Sequence, residues 1–264
     1  MTKNNSTNPY DQCDLTGLDT TRDLKNPLTA AIYGTLLEVV GDVSGLLALD
    51  LACGDGHVAR LLADQGADWV WGLDVSHDMI RLARTKSTPQ DWNDVAKTEY
   101  FKHNCSEPIP DRFSVNNLCD IVTAAYLFNY AQTEDMLGSM CLVAAQKLKP
   151  GGKLVAITVN PANPVPDTVE GTSSTVRWLD EDGTWTEGSR LEVQVDTGNP
   201  QKPAILVSWY WSAGVYKKWL EAAGFTDVKF IIIRPSADES IAVPTNLHLM
   251  IGRNCSSIVI TATK

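Results

Sequence analysis

Apolar runs short enough for buried strands alternate with helical stretches between residues 27 and 159, and this alternation constrains the fold more than any other feature. Leu46 to Ala52 is a nearly continuous apolar run, which is typical of a strand buried on both faces. Further strands are predicted at 69–73, 98–102, 120–125 and 153–159, and helices at 27–40, 57–65, 76–86 and 134–148. Strands and helices in this rhythm predict a parallel sheet wound by crossover helices.

The pattern changes beyond Asn160, where prolines and a glycine interrupt it. Short antiparallel strands are predicted at Thr175–Leu179 and Arg190–Val195, around the turn Asp182-Gly183. A helix at 213–223 and strands at 228–233, 247–251 and 257–261 complete the prediction. We therefore expect one α/β domain over residues 27–264 with a small cap insert at about 160–210, preceded by a polar arm over residues 1–26.

Charge and composition argue against several functions for this chain of 264 residues. With 22 Lys and Arg against 32 Asp and Glu, the formal net charge is −10, which argues against a nucleic-acid partner because phosphate binding needs a basic face. The apolar runs are far shorter than the ~18–20 residues of a membrane span, so we expect no membrane partner. The six cysteines show no metal-binding spacing and no signal-peptide core precedes them, so we expect reduced thiols, no metal and a cytoplasmic protein.

A glycine turn, Ala-Cys-Gly-Asp-Gly-His at residues 52–57, joins the first buried strand to the next helix. Glycines allow a tight turn and allow a ligand to lie against bare backbone. Asp74 ends the following strand, where a carboxylate can accept hydrogen bonds from both hydroxyls of a ribose. The turn lacks the G-x-G-x-x-G of dinucleotide enzymes, and the carboxylate of Asp55 would repel a pyrophosphate. A nucleoside with a short zwitterionic arm and no phosphate, such as S-adenosylmethionine, suits this turn better.

Residues 50–56 read Asp-Leu-Ala-Cys-Gly-Asp-Gly, and three further segments stand at 73–80, at 119–126 and at the Lys-Pro-Gly-Gly turn 149–152. Together they resemble the class I S-adenosylmethionine-dependent methyltransferases, whose first motif is D-x-G-x-G-x-G, with Ala52 here in place of the first glycine. The resemblance implies a Rossmann-like, seven-stranded, doubly wound sheet. A narrower similarity, to natural-product methyltransferases of the toxoflavin synthase type and related fungal enzymes, implies a role in secondary metabolism.

The resemblance also implies which residues bind the cofactor, S-adenosylmethionine, and its product S-adenosylhomocysteine. They are Tyr10 as a lid, Ala52 through its carbonyl, Gly54 and Gly56 through exposed backbone, Asp74 at the ribose, Met79 along the adenine, Asn104 at the adenine amino group, Cys105 through its backbone N–H and Ala124 at the methionine arm. Three alternatives stay open: Asp74 as a helix cap or loop acid, Met79 as a core residue, and Tyr10 as a residue of the arm without a role at the site. Cys53 is predicted to pack, and Asp50 to hold the turn.

The predicted reaction is methyl transfer to sulfur, nitrogen or oxygen of a small natural product, by a monomer or weak dimer. An in-line displacement needs alignment of donor and acceptor more than it needs a base, so no catalytic residue is assigned. The side chains available as a base are His103, Tyr126, Tyr130 and His248. The aromatic residues Trp178, Trp185, Trp209, Tyr210, Trp211 and Trp219 suit packing of the cap or a flat apolar acceptor. The alternatives are a methyltransferase of RNA or protein, which the acidic charge disfavours, and a cofactor-binding protein without methyl transfer.

Overall fold

Ten strands and five α-helices make up the part of the chain that the structure describes. The computed structural model describes residues 27–87, 97–111, 119–164, 174–179, 185–195, 204–235, 251 and 255–264. The strands are β1 Leu47–Leu51, β2 Trp69–Asp74, β3 Thr98–Lys102, β4 Cys119–Ala125, β5 Leu148–Val159, β6 Ser174–Trp178, β7 Arg190–Val195, β8 Ala204–Trp209, β9 Thr226–Ile232 and β10 Ser257–Thr263. The helices are α1 Pro27–Val40, α2 His57–Asp64, α3 His77–Lys86, α4 Glu134–Lys147 and α5 Ala213–Ala222.

Seven of these strands form one sheet in the order β3-β2-β1-β4-β5-β10-β9. The first five are parallel to their neighbours, whereas β10 is antiparallel to both β5 and β9. The predicted seven-stranded, doubly wound α/β sheet is therefore confirmed. The chain runs outward from β1 through β2 to β3, and then returns to the other side of β1 to continue through β4 and β5.

Polar side chains begin three of the helices, as the sequence indicates. The hydroxyl oxygens of Ser76, Thr133 and Ser212 accept hydrogen bonds from backbone N–H groups three residues later, at 3.2–3.3 Å. Such N-caps satisfy amides that have no partner within the helix. None of the helices among the described residues is long and apolar enough to cross a membrane.

The central strand β1 is buried on both faces, and its side chains divide between two apolar clusters. Leu49 and Leu51 lie in the cluster that contains Leu137 of α4 and Leu220 of α5. Ala48 lies in the cluster on the other face, which contains Leu36 of α1. Each buried leucine contributes about 1.5–3 kcal/mol to the free energy of folding relative to an exposed one. Packing on both faces therefore stabilises the strand whose end borders the candidate site.

A second, three-stranded antiparallel sheet in the order β6-β7-β8 forms the described part of the cap insert, and we call it the cap sheet. The sequence predicts β6 and β7 but misses β8, whose largely apolar run Ala204–Trp209 stands in the segment where the regular pattern is interrupted. The first residues of β5 also differ from the prediction: Leu148 already pairs with Cys119, and the glycine turn that follows lies within the strand as a bulge. The arm with Tyr10, the turn Asp182-Gly183 and residues 247–250 of the strand predicted at 247–251 lie outside the described residues.

Candidate cofactor site

The site lies at the carboxyl edge of the sheet, between β1 and β4. This is where the winding changes direction, because β1 is followed along the chain by β2 on one side while β4 pairs with it on the other. In open α/β sheets the two loops that leave such a pair of strands separate in opposite directions and form a crevice. The residues after Leu51 and Ala125 therefore border the candidate site.

Two residues other than glycine have left-handed backbone at these two strand ends. Ala52 follows β1 with φ 56°, and Tyr126 follows β4 with φ 59°. This conformation is uncommon for residues with a side chain, and such strain concentrates at ligand sites. Gly54 has φ 54°, and glycine adopts this conformation without a Cβ penalty. The strain at Tyr126 is a signal that the sequence does not contain.

Asp74 joins the glycine turn to the end of β2. One carboxylate oxygen accepts a hydrogen bond from the Gly54 N–H at 2.8 Å, and the other accepts one from the Ser76 N–H at 2.8 Å. The predicted alternative, a carboxylate that holds the start of α3, is therefore present in the structure. A carboxylate oxygen can accept more than one hydrogen bond, so this arrangement is also compatible with the ribose role, which stays a prediction.

An ion pair neutralises the carboxylate inside the glycine turn. Asp55 lies 2.8 Å from Lys86 Nζ of α3, and the two side chains are 6% and 17% exposed. The repulsion of a pyrophosphate by Asp55, which the sequence predicts, is therefore weaker than expected. The Asp55–Lys86 pair was not predictable, because the two residues belong to different elements.

The packing of the protein requires a glycine at position 56, the second glycine of the turn. A Cβ on Gly56 would lie 2.6 Å from the Tyr100 hydroxyl oxygen, and a Cβ on Gly72 would lie 2.4 Å from Cδ1 of the same ring. Tyr100 packs beneath the turn, and its hydroxyl pairs with Ser87 Oγ at 2.8 Å. The bare backbone of Gly56 therefore makes room for Tyr100, and its exposure to a ligand stays a prediction.

The two cysteines beside the turn are buried and hold their protons. Burial raises the pKa of Cys53 well above its usual range, and the carboxylates of Asp74 and Asp50 raise it further. Burial raises the pKa of Cys105 to about 12. Because a thiolate is the reactive form, neither thiol is a nucleophile near neutral pH. This agrees with the predicted packing role of Cys53.

Three residues predicted to contact the cofactor, Met79, Asn104 and Ala124, are largely engaged within the protein. Met79 and Ala124 are 2% and 0% exposed, so the core interpretation describes Met79 in this structure. Asn104 Oδ1 already accepts from the Ser106 N–H at 3.1 Å and from Ser106 Oγ at 2.9 Å. An adenine amino group would compete with these two donors. The adenine roles of Met79 and Asn104 and the role of Ala124 at the methionine arm stay predictions.

Val75 is an exposed residue beside the candidate site that sequence reasoning did not single out. It directly follows Asp74 and is 42% exposed, although most large apolar side chains of the strands are buried. An exposed apolar side chain beside a ribose-binding position suits the face of a purine. The sequence signal that could have indicated it is a valine directly after Asp74, the acidic residue that ends β2.

Parts of this chain are similar in sequence to known proteins. Residues 48–152 match the family described as Methyltransferase domain. By this similarity we refer to residues 48–152 as the methyltransferase domain. The ubiquinone biosynthesis O-methyltransferase of Leptothrix cholodnii is 25% identical over 123 residues, which are 47% of this chain and 48% of that protein. The chain thus spans about half the length of the curated relatives it matches.

Two solved structures share the fold over most of the chain. The S-adenosylmethionine-dependent methyltransferase from Mesorhizobium loti has a TM-score of 0.60 and 21% identity, and the match covers 89% of this chain and 98% of that one. The CcbJ methyltransferase from Streptomyces caelestis has a TM-score of 0.60 and 17% identity, with 87% of each chain covered. At these identities the likeness concerns the fold. Together with the domain match, it implies S-adenosylmethionine as the cofactor.

The methyltransferase domain contains all the predicted cofactor residues except Tyr10, and two of the candidate bases in it, His103 and Tyr126, make hydrogen bonds within the protein. His103 Nε2 lies 3.0 Å from the Glu107 carbonyl oxygen. The Tyr126 hydroxyl pairs with Ser257 Oγ at 2.9 Å, which ties the end of β4 to β10. His248 lies outside the described residues. Within the described ranges no three His, Cys, Asp or Glu side chains converge on a metal position, and the lack of a metal stays a prediction.

The left-handed backbone of Ala52 predicts an unusual response to glycine. Ala52→Gly removes a Cβ penalty of about 1–2 kcal/mol and adds chain entropy of about 0.5–1 kcal/mol to the unfolded state. We expect the free energy of unfolding to rise by about 0.5–1 kcal/mol in urea titrations. The matched control Ala63→Gly, in the regular helix α2, should lower it by about 1 kcal/mol. A loss of stability in Ala52→Gly would contradict the strained conformation.

Proposed function

We propose that this chain transfers a methyl group from S-adenosylmethionine to a sulfur, nitrogen or oxygen atom of a small natural-product molecule. The observation that carries the proposal is the Asp74 carboxylate, which binds the Gly54 amide and so brings the ribose position of β2 against the turn that follows β1. A nucleoside lying across these two strand ends meets the carboxylate and the turn at once.

The charges around the turn suit this cofactor. The carboxylates of Asp50, Asp55 and Asp74 all lie close enough to Cys53 to raise the pKa of its thiol. Such a concentration of carboxylates suits a ligand that carries a sulfonium cation and favours it over a pyrophosphate. The pairing of Asp55 with Lys86 reduces this preference without reversing its sign.

The residues of the chain bind and align rather than activate. When bound, the cofactor supplies an electrophilic methyl group on a sulfonium sulfur. Asp74 orients the ribose, Gly54 provides backbone without a side chain beside it, and Val75 offers an apolar face to the purine. The buried, protonated cysteines beside the turn do not compete with the acceptor as nucleophiles. Alignment of this kind supplies most of the rate in a displacement that needs no strong base.

Two features favour a small acceptor in this proposal: the aromatic cluster of the cap sheet and the negative net charge of the chain. Trp178 and Trp185 stack with ring centroids 5.8 Å apart, and Tyr210 packs edge-on against both. Trp185 is 46% exposed, which leaves a flat apolar surface on the insert. The net charge of −10 disfavours RNA as the acceptor. We further propose action in secondary metabolism, in the cytoplasm, by a monomer or weak dimer.

The proposal is tested in two steps on the full chain. Isothermal titration calorimetry with S-adenosylmethionine should show one site. Release of S-adenosylhomocysteine should then depend on an added nucleophile, from a panel of thiophenol, aniline and phenol derivatives. Cofactor binding without release for any class would favour the alternative of a binding protein without methyl transfer. Absence of binding would contradict the proposal as a whole.

A further inference from the structure

Two polar atoms are buried without a hydrogen bond near the junction of the cap sheet and the methyltransferase domain. Asn129 and Ser208 are 4% and 1% exposed, and neither Asn129 Oδ1 nor Ser208 Oγ has a hydrogen-bond partner in the described structure. Folded proteins pair the great majority of buried polar atoms, because an unpaired one loses its bonds to water without replacement. Each exception therefore requires an explanation.

Both atoms belong to elements that pack against each other at the site. Asn129 lies in the 3-10 helix Phe128–Tyr130, which begins three residues after β4 ends in the crevice. β8, which carries Ser208, packs against this helix. The Trp211 indole N–H, just beyond β8, donates to the Ala131 carbonyl at 3.0 Å and fastens the two elements together.

Ser208 shares a face of the cap sheet with the aromatic cluster. Trp178 pairs with Leu191, and Leu191 pairs with Ser208, so the three form one row across the strands and point to the same face. The row spans about 10 Å, which is two strand spacings. The Tyr210 hydroxyl donates to the Pro161 carbonyl at 3.3 Å, just beyond the end of β5. The cluster therefore stands over the edge of the sheet that holds the candidate site.

We propose that Asn129 and Ser208 position the methyl acceptor, and that this acceptor is an aromatic molecule bearing an O–H or N–H donor. The inference rests on the proposed function and names its substrate class. The donor binds Asn129 Oδ1, the hydroxyl of Ser208 binds a polar atom of the same molecule, and the ring lies against Trp178 and Trp185. A molecule without a donor leaves Asn129 Oδ1 unpaired and is rejected, as in other sites built to recognise a hydroxyl group.

These contacts couple binding of the acceptor to closure of the cap. Both atoms are sealed from solvent, so the acceptor enters when β8 and the 3-10 helix separate. Its hydrogen bonds then stabilise the closed arrangement, which lacks them when the acceptor is absent. Closure excludes water around the reacting atoms, which favours a displacement over hydrolysis.

Removal of the unpaired atoms should stabilise the free protein, which a purely structural role does not predict. We expect Asn129→Leu and Ser208→Ala each to raise the melting temperature by about 2–4 °C. The matched controls are Asn160→Leu and Ser189→Ala. Asn160 donates to the Cys255 carbonyl at 2.8 Å, and Ser189 Oγ accepts from the Thr186 N–H at 2.9 Å, so both controls should melt at lower temperature.

Binding of two naphthalene probes tests the role in recognition. With S-adenosylhomocysteine present in excess, the full chain should bind 2-naphthol at least about tenfold more tightly than 2-methoxynaphthalene, which has no donor. In the variant with both Asn129→Leu and Ser208→Ala, this ratio should fall to near one. An unchanged ratio, or no binding of 2-naphthol by the unaltered chain, overturns the inference.

The two proposals fail in different ways. A chain that does not bind S-adenosylhomocysteine contradicts the proposed function. A chain that binds it with equal affinity in the unaltered and double-variant forms, yet shows no preference for 2-naphthol, contradicts only the role of Asn129 and Ser208.

Discussion

Gly54→Val is expected to lower the affinity for S-adenosylmethionine by at least about 100-fold. The residue has φ 54°, and a β-branched side chain is a steric outlier in this region. The new side chain would also lie at the turn where the cofactor is proposed to contact bare backbone. The change in backbone conformation would move the Gly54 N–H, which donates a hydrogen bond to Asp74. Calorimetric titration with S-adenosylmethionine measures the effect.

Gly151→Val is the matched control for this change. Gly151 has φ 79°, and a Cβ added to it would have no heavy atom within 4 Å. It lies near the start of β5, at the opposite edge of the sheet. Its substitution should therefore cost similar backbone strain but leave cofactor affinity unchanged. Equal losses in both variants would mean that binding responds to general destabilisation, and normal binding by Gly54→Val would mean that the turn is structural only.

Asp74→Ala is expected to lower the affinity for S-adenosylmethionine by a factor of roughly 10 to 100. Two ribose hydrogen bonds to a charged acceptor are lost, and a combined loss of about 1.4–2.8 kcal/mol corresponds to this factor. The variant also removes the acceptor of the Gly54 and Ser76 amides, so some stability should be lost as well. Asp74→Asn retains one acceptor oxygen and should fall between Asp74→Ala and the unaltered chain in affinity.

Asp120→Ala provides the control for that loss of stability. Asp120 also bridges two segments, since it accepts from the Leu47 N–H at 3.0 Å and pairs with Lys149 at 2.8 Å, but it lies at the opposite edge of the sheet. We expect Asp120→Ala to be destabilised without loss of cofactor affinity. If Asp74→Ala is folded and binds as the unaltered chain does, the ribose assignment is wrong.

The fold between residues 27 and 160 was predictable because a strand buried on both faces is composed almost entirely of apolar residues. The continuous apolar run of β1 and the helical spacing of α1 each appear within one segment. β8 was missed although Ala204–Trp209 is a similar, largely apolar run, because it stands beyond Asn160, where the regular alternation of strands and helices is interrupted. Its pairing with β7 is decided by contacts that no local pattern contains.

The site was predictable where a single segment carries it. Gly54 and Asp74 follow from strand ends and turn residues, and the structure joins them by a direct hydrogen bond. Contacts between distant segments were not predictable. The pairing of Lys86 with Asp55 and the fit of Tyr100 beneath Gly56 depend on how α3 and β3 pack on the turn. These contacts weaken the predicted repulsion by Asp55 and give Gly56 a packing role that the sequence does not indicate.

The most direct test of the account is a calorimetric comparison of two nucleotides on the unaltered full chain. S-adenosylhomocysteine offers a ribose and a zwitterionic arm, whereas NAD offers the same ribose with a pyrophosphate. The account predicts saturable binding of S-adenosylhomocysteine at one site and no saturable binding of NAD. Binding of NAD in preference to S-adenosylhomocysteine would contradict it.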